Sequence, residues 1–408
     1  MCGSAKPSLA GLLQHVANPI SREGLHYRFT TRAVTFMQKC LVYLLTHQSS
    51  TKFIKNKILD KFQRVILADS SSWEVAPGLA DILPGCGGSG SPAGCKIQTM
   101  YSYKDGNLLF PAVTSGNKND QSFSKNLAKL LKKGDLIIFD LGYFSLDSFK
   151  EILKQSAYFL SRFLSNTNIY LSQEAESPIN LLKYLFTVKD EATELTAFIG
   201  NEPHQRLKVR LLAVKVPKAI AQKRIMKLQK NARKKRRSHP SALSIKLCNW
   251  TLAVTNAPST RLPLAAILPL YRLRWQIELL FKQLKSILHI HLCDSQNINR
   301  LLCELYGKLI IAIFVHDIYA QANSSLWNHS KKELSFDKLH KRCQERFLPW
   351  LFLFLQHPHK AAASIRLQIN ALLSSCLKLY QNSRTSSLQA LHSIGISSTS
   401  SHFYNSSP

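Results

Sequence analysis

The stretch QRVILADSS, residues 63–71, decides the fold of this chain. Its apolar run has the length of a buried strand, and it stops at the carboxylate of Asp69 and a cluster of serines. A second stretch, DLIIFDLGYFS (135–145), has the same form and reaches a carboxylate at Asp140. Sites in open α/β sheets gather at the carboxyl ends of strands. We therefore expect two strands of one sheet to end at aspartates.

The segments around these stretches predict a mixed α/β layout with a central sheet. KIQTMYSYKDG (96–106) predicts a strand that ends in an Asp-Gly turn, and LLFPAVTSG (108–116) predicts its hairpin partner. Asp105 is therefore expected to be a turn residue. The other segments predict two helices, the first ending at Gly134, and a third buried strand that contains Arg162: QSFSKNLAKLLKKGD (121–135), SLDSFKEILKQ (145–155) and AYFLSRFLSN (157–166).

Residues 167–257 interrupt this layout with a predicted β-rich insertion. Between its strands lies a basic arm, AIAQKRIMKLQKNARKKRR (219–237), with nine basic residues and no acidic residue. The simpler interpretation of the arm is a solvated helix, but a run this dense and of one sign more often meets nucleic acid. The predicted strands are NLLKYLFTV (180–188), ELTAFIG (194–200), RLKVRLLAV (206–214) and WTLAVTN (250–256).

A predicted helix over about 263–288 contains the segment YRLRWQIELLFKQLKS (271–286). At about 100° per residue, four polar side chains of this segment fall within an arc of roughly 60° on one helix. Apolar residues occupy the opposite face. A carboxylate flanked by two cations and a phenol suits a metal ion and a phosphate backbone, although such residues are also ordinary on an amphipathic helix. The polar face comprises Tyr271, Arg274, Glu278 and Lys285, and the apolar face Leu273, Ile277, Leu280, Leu284 and Ile287.

The composition favours a polyanionic partner. The chain has 408 residues, 45% of them hydrophobic, and 54 Lys and Arg against 24 Asp and Glu give a formal charge of +30. Such an excess is drawn to duplex DNA or to an acidic membrane surface. The longest apolar runs, 309–315 and 347–355, fall short of the roughly 18 residues that a membrane span needs. We expect no membrane association, and we identify no secretory signal.

The cysteines predict a reduced, intracellular protein. There are nine, an odd number with scattered spacing and no CxxC pair, which is typical of neither a disulfide framework nor a zinc module. Cys86 and Cys95 bracket a glycine-rich loop, for which a metal or redox role is the minor interpretation. The segment HIHLC (289–293) resembles a ligand set, but residues two apart on a helix diverge, so a packing role is favoured.

Three acids could form one catalytic centre if Asp69 and Asp140 end neighbouring strands and Glu278 faces them from a packed helix. Uncompensated, three carboxylates repel each other and are costly to desolvate. Two Mg²⁺ ions about 3.5–4 Å apart remove that cost and clamp a phosphodiester for in-line displacement. The glycine-rich loop at 84–95 lacks the lysine and the following helix of a phosphate-binding P-loop.

These residues resemble the DDE transposases of bacterial insertion sequences, and in particular the insertion-sequence-four family with its Tyr-x2-Arg-x3-Glu-x6-Lys signature. The signature residues above match all four positions and all three gaps. Asp69 matches the family's first aspartate, although three serines follow it where Gly-Thr is common, and Trp73 stands near it. Asp140 matches the second aspartate in its D-x-G-[YF] setting. The strand arginine of the family corresponds to Arg162, and WTLAVTN resembles the strand before the signature helix.

The resemblance implies a ribonuclease H-like domain in which Asp69, Asp140 and Glu278 hold two Mg²⁺ ions, with Mn²⁺ able to substitute. Water would nick the transposon end, and the freed 3′-hydroxyl would attack again, through a hairpin in well-understood relatives. The substrates would be terminal inverted repeats and target DNA, and the protein would act as a homodimer on paired ends in the bacterial cytoplasm. Residues implied to contact DNA are Tyr271, Arg274, Lys285, Arg162 and Trp250, where Trp250 is otherwise a core tryptophan.

The sequence thus predicts a helical N-terminal region with a possible DNA-binding role, a core in two parts around the insertion, a helical C-terminal region and a disordered tail. Two alternatives stay open beside a transposase: a simple metal-dependent nuclease with the same triad, and a non-catalytic DNA-binding derivative. Strand joining and Glu278-dependent cleavage would separate them. The predicted boundaries are 1–62, 63–166 (core), 167–257 (insertion), 258–296 (core, signature helix), 297–382 and 383–408.

Overall fold

The computed structural model describes residues 20–48, 56–87, 90–234, 239–330 and 332–378. They form helices and strands in the order that the hydrophobic pattern predicts over most of the chain. The strands are β1 Val65–Glu74, β2 Gly94–Ser102, β3 Asn107–Ser115, β4 Leu136–Phe139, β5 Tyr158–Arg162, β6 Ile169–Tyr170, β7 Ala192–Ile199, β8 Leu207–Lys215 and β9 Trp250–Thr255. The helices are α1 Arg22–His26, α2 Thr31–Thr46, α3 Asp120–Ala128, α4 Leu146–Lys154, α5 Leu181–Thr187, α6 Lys218–Lys234, α7 Ala242–Leu247, α8 Leu264–Arg272, α9 Trp275–Ser286, α10 Ile298–Ser330, α11 Phe336–Gln356 and α12 Pro358–Leu373.

The described residues divide between two compact units. The first unit draws on the described residues within Met1–Lys55, Asp69–Lys118 and Trp275–Ser383, and the second on those within Asn56–Ala68 and Asn119–Arg274. Strand β1 passes from the second unit into the first between Ala68 and Asp69. Within the described ranges, no helix is both long enough and apolar enough to cross a lipid bilayer.

In the first unit the strand order is β3-β2-β1, and helices α1, α2, α9, α10, α11 and α12 belong to the same unit. The predicted hairpin of β2 and β3 is confirmed as an antiparallel pair in which Ser102 and Asn107 are register partners. The turn between them is confirmed as well. Asp105 accepts a hydrogen bond from the Ser102 hydroxyl at 2.7 Å, and Gly106 adopts a φ of 71°, which glycine tolerates at no steric cost.

In the second unit the strand order is β1-β4-β5-β9-β8-β7-β6. Strand β4 pairs in parallel with both β1 and β5, whereas β9 runs antiparallel to β5 and β8. The strands of the predicted insertion therefore extend the core sheet through β9 instead of forming a separate sheet. The fold is mixed α/β, as expected.

Two predictions about individual elements are wrong. The predicted strand at 180–188 is the helix α5, because the side chain of Asn180 caps it by accepting the N–H of Lys183, and the buried Leu181 and Leu185 lie four residues apart on one helical face. The strand that carries Asp69 also does not end there, since β1 continues to Glu74. Its buried half stops at Ala68, the last register partner in β4, and partly exposed residues follow.

The predicted helix over about 263–288 is two helices, α8 and α9, with Leu273 and Arg274 in the turn between them. The N–H groups of Leu273 and Arg274 bond to carbonyls three residues back, at 3.0 and 3.1 Å. Such bonds tighten and close a helical turn. The prediction that the four signature side chains share one continuous helical face is therefore wrong.

The terminal regions are described in part. Within the predicted helical N-terminal region, α2 begins where the Thr30 hydroxyl accepts the N–H of Ala33. Helices α10 to α12 lie within the predicted C-terminal region. Helix α3 is shorter than predicted and ends at Ala128, ahead of Gly134. The predicted disordered tail at 383–408 lies outside the described residues.

Candidate functional site

Strands β1 and β4 position the two aspartates. In the parallel pairing of the second unit, Ala68 and Phe139 are register partners, and Asp69 and Asp140 are the residues that directly follow them. Asp69 accepts the N–H of Ser70 at 2.8 Å. Asp140 is the N-cap of a short 3-10 turn, Leu141–Tyr143.

A buried ion pair fixes the other end of these two strands. Asp135, whose side chain is fully buried, accepts bonds from Arg64 through Nε at 3.0 Å and through Nη2 at 2.5 Å, and from the N–H of Lys132 at 2.7 Å. The N–H of Leu136 bonds to the carbonyl of Arg64 at 2.8 Å. A two-pronged guanidinium–carboxylate pair has a defined geometry. It therefore holds the β1–β4 register that sets where Asp140 falls.

The signature residues Tyr271 and Arg274 surround the carboxylate of Asp140 within the second unit. The Tyr271 hydroxyl donates to Asp140 Oδ1 at 3.2 Å, and Arg274 Nε lies 3.9 Å from the same oxygen. The Asp140 side chain is 45% exposed, so solvent still reaches it. Burial raises the pKa of Tyr271, the Asp140 charge raises it further, and Arg274 and Arg162 oppose the rise. Tyr271 is therefore a neutral hydrogen-bond donor at physiological pH.

Trp250 begins β9, three residues before Ala253, which is the register partner of Arg162. Three residues of strand span about 10 Å. The Trp250 ring lies 5.4 Å from the ammonium of Lys215, and its carbonyl accepts from Arg224 at 3.0 Å. Trp250 is half-buried and thus neither fully in the core nor fully open.

The remaining signature residues, Glu278 and Lys285, lie on α9 in the first unit. The helix buries Ile277, Leu280, Phe281 and Leu284, which confirms most of the predicted apolar face. The Lys285 ammonium donates to the carbonyl of Ser72 at 3.0 Å and lies 5.9 Å from the ring centroid of Trp73. Burial lowers the pKa of Lys285.

Sequence reasoning noted Trp73 but gave it no role. Trp73 lies four residues after Asp69 in β1, so both side chains stand on the same face of the strand. Its ring and the neighbouring Ser72 carbonyl together hold the head group of Lys285. The sequence signal for Trp73 was its even spacing from Asp69, which places both side chains on one face of a strand.

The donor chemistry of the three acids fits a hard divalent cation. Asp69, Asp140 and Glu278 are each partly exposed, and carboxylate oxygens are the ligands that Mg²⁺ prefers. Among the residues that the structure describes, no three His, Cys, Asp or Glu side chains are grouped so that they could hold an ion. Within the second unit the structure brings Asp140 together with Tyr271 and Arg274, and within the first unit it brings Lys285 to β1.

Residues 60–314 match the family model of the transposase DDE domain, a domain that generally depends on divalent metal ions. This range contains Asp69, Asp140 and the whole signature segment.

Two curated relatives cover most of the chain. The transposase for insertion sequence element IS231F of Bacillus thuringiensis subsp. israelensis is 33% identical over 333 residues, which cover 78% of this chain and 69% of the relative. The transposase for insertion sequence element IS1151 of Clostridium perfringens is 30% identical over 334 residues, with 78% and 70% covered. A piggyBac transposase, solved by cryo-EM in a synaptic complex with hairpin DNA, is a distant structural neighbour at 13% identity and a TM-score of 0.44, with 93% of this chain and 74% of that chain covered.

The family model matches more than half of the chain. The two relatives are insertion sequence transposases, and the alignment covers more than two thirds of the length of each. The chain therefore belongs to the DDE transposases of bacterial insertion sequences, enzymes that cleave DNA and transfer its strands.

Proposed function

We propose that this transposase moves its element by cut-and-paste, and that Asp69, Asp140 and Glu278 are its catalytic triad. The observation that carries the proposal is the environment of Asp140, whose carboxylate receives two signature side chains, Tyr271 at 3.2 Å and Arg274 at 3.9 Å. These groups are distant in sequence, and their association is what a shared phosphodiester-processing site requires.

The proposed cofactor is a pair of Mg²⁺ ions, for which Mn²⁺ substitutes. When bound, such ions activate the attacking oxygen and stabilise the leaving oxygen of a phosphodiester. Without cations, three carboxylates repel each other, which disfavours their close approach. In the structure Arg274 partly neutralises Asp140. We propose that Asp69 and Glu278 join Asp140 as ligands when metal and DNA bind.

The proposed reaction consists of two successive displacements at phosphorus. Water attacks the phosphorus at the transposon end, a new P–O bond forms, and the bond to the 3′-oxygen breaks and leaves a 3′-hydroxyl. That hydroxyl then attacks a second phosphodiester, forms a new P–O bond and displaces its 3′-oxygen. We propose that Arg274, Lys285 and Arg162 donate hydrogen bonds to phosphate oxygens, that Tyr271 lies beside the same phosphates while its hydroxyl donates to Asp140, and that Trp250 stacks on a base of the bound end.

The proposed partners are the terminal inverted repeats of the element, target DNA and a second copy of the chain. The formal charge of +30 supports strong attraction to both DNA substrates. Action on paired ends requires two catalytic centres to be held together, for which a homodimer on DNA is the simplest arrangement. We place the reaction in the bacterial cytoplasm, where these substrates lie.

The triad is tested by Asp69→Asn, Asp140→Asn and Glu278→Gln in the full chain. Each should abolish Mg²⁺-dependent cleavage of a duplex that carries the element's end, while DNA binding at low salt persists. Glu202→Gln is a matched control because Glu202 is exposed and lies outside the triad. A second readout is the melting temperature, which Mg²⁺ should raise for the wild type and raise less for Asp140→Asn. Full cleavage by Glu278→Gln would contradict the assignment.

Strand joining separates the transposase from the two alternatives. Wild-type protein given pre-cut ends with free 3′-hydroxyls should covalently join them to a supercoiled plasmid. A nuclease would nick the plasmid without joining, and a non-catalytic binding protein would do neither. If the wild-type protein cleaves DNA but joins no ends to the plasmid, the result would favour the nuclease.

A further inference from the structure

The basic helix α6 (Lys218–Lys234) presents a row of lysines that the proposed triad does not use. We infer that this row is a contact surface for the phosphate backbone of duplex DNA, separate from the catalytic residues. The inference deepens the proposed function by naming a surface that holds the same substrate, and it rests on DNA being that substrate. We call the row Lys223, Lys227 and Lys230 the lysine stripe.

The lysine stripe occupies one face of α6. At about 100° per residue, Lys227 and Lys230 fall within roughly 40° and 20° of Lys223. All three side chains are exposed. The residues of α6 that are buried or half-buried include Ala221, Ile225 and Leu228. Around the helix axis these three residues point in nearly the opposite direction to the lysine stripe. The helix therefore packs by one side and turns its charge to solvent.

Arg224 fastens α6 to the sheet of the second unit. Its guanidinium donates to the Trp250 carbonyl and to the Thr251 hydroxyl, each at 3.0 Å. Ala221 is 3% exposed and adds a packed contact one turn earlier. Because a long side chain anchors the helix at the start of β9, the lysine stripe has a fixed position relative to Trp250. A fixed stripe can position a duplex, whereas a loose basic segment only attracts it.

The spacing and the residue type suit a phosphate backbone. Helical rise is about 1.5 Å per residue, so the stripe is about 10 Å long and comparable to a few successive phosphates of one strand. Lysine is a flexible point charge that contacts phosphate without the planar recognition typical of arginine. Residues 218–234 contain no acidic side chain that would oppose a polyanion. The stripe therefore predicts binding that is independent of base sequence.

An acidic membrane surface is the competing polyanion. A helix that lies on a membrane needs an apolar face free to enter the lipid headgroup region. In α6 the apolar face is turned to the protein, and Met226, 63% exposed, is the large apolar side chain that borders the stripe. The observations therefore favour DNA.

The test is the salt dependence of binding to a duplex of arbitrary sequence, measured on the full chain by fluorescence anisotropy between about 50 and 200 mM salt. Each lost phosphate contact lowers the slope of log Kobs against log[salt] by about 0.9. The triple variant Lys223→Gln/Lys227→Gln/Lys230→Gln should reduce the slope by roughly 2 to 3. A matched triple, Lys129→Gln/Lys154→Gln/Lys183→Gln, removes the same charge from exposed positions on other elements and should change the slope by less than about 1.

A slope unchanged in the stripe variant, or reduced equally in the matched triple, would overturn the inference. Loss of binding to phosphatidylserine vesicles, with the DNA slope unchanged, would overturn it in favour of a membrane surface. If the triple variant does not fold, the three single variants should each lower the slope by about 0.9. Glu278→Gln should keep the wild-type slope, so failure of the proposed triad and failure of the stripe are distinguishable.

Discussion

The phenol of Tyr271 donates a hydrogen bond to the carboxylate of Asp140 across 131 positions of sequence, at 3.2 Å. The first signature residue is thus joined directly to the second aspartate of the proposed triad. Burial keeps Tyr271 protonated, so it serves as a fixed donor and not as a base. Arg274 adds a positive charge on the same carboxylate oxygen. The signature segment therefore orients Asp140 as well as supplying Glu278.

Tyr271→Phe should lower the cleavage rate by roughly 10- to 100-fold, because a hydrogen bond to a charged group contributes about 1.5–3 kcal/mol. The hydroxyl holds Asp140 in orientation, so the loss should appear in the rate of the chemical step measured in single-turnover cleavage. DNA affinity should stay within about twofold of wild type. Tyr27→Phe is the control, since Tyr27 is 79% exposed. Equal rates for the two variants would contradict the orienting role.

Arg64→Met should lower the free energy of unfolding by about 3–5 kcal/mol, because it leaves the buried carboxylate of Asp135 without its charge partner. Urea denaturation followed by circular dichroism measures the change. The control is Lys154→Met, which removes an exposed lysine that lies 3.9 Å from Glu151 and should change stability by less than about 0.5 kcal/mol. Similar midpoints for both variants would show that the pair does not hold the β1–β4 register.

Trp73→Leu should weaken the positioning of Lys285 modestly, since a cation–π contact contributes about 0.5–2 kcal/mol and the Ser72 carbonyl still accepts from the ammonium. A double-mutant cycle with Lys285→Met measures this coupling through cleavage rates. Trp73→Phe keeps an aromatic face and should recover much of the loss. Additive effects of Trp73→Leu and Lys285→Met would exclude the contact as a functional one.

The first unit should lose stability between about pH 6.5 and 4. Burial lowers the pKa of His316 to about 4, helped by the neighbouring His340. Burial also lowers the pKa of His340 to about 4, against an opposing effect of Asp337. Both histidines are nearly inaccessible in the folded protein, at 6% and 2% exposure. The unfolded chain therefore binds more protons than the folded chain in this range, and stability rises with pH.

The expected slope is up to about 1.4 kcal/mol per pH unit for each histidine, and it is absent above about pH 7. Urea midpoints measured from pH 4.5 to 7 test it. The double variant His316→Gln/His340→Gln should flatten the dependence, whereas His204→Gln, at an exposed position, should leave it unchanged. An equally steep dependence in the double variant would assign the acid sensitivity to other groups.

Local patterns in the sequence determined much of the fold. Short apolar runs predicted β1, β4, β5 and the β2–β3 hairpin, because alternation, burial and turn chemistry act over neighbouring residues. The fixed gaps of the signature segment predicted Tyr271, Arg274, Glu278 and Lys285 as site residues, and the folded chain brings Tyr271 and Arg274 to Asp140. The segment at 180–188, by contrast, was predicted as a strand and is a helix that Asn180 caps. Over so short a run, apolar periodicity alone does not distinguish a helix from a strand.

Only the tertiary structure determined which residues of the candidate site contact one another. The break between α8 and α9 separates Tyr271 and Arg274, which contact Asp140, from Lys285, which contacts β1. The strands of the predicted insertion join the core sheet through β9, a pairing with β5 over some ninety positions. Such contacts are set by long-range packing, and residues far apart in sequence carry no periodic signal of one another. The sequence by itself predicted the side chains of the candidate site, and only the folded chain decided which of them meet.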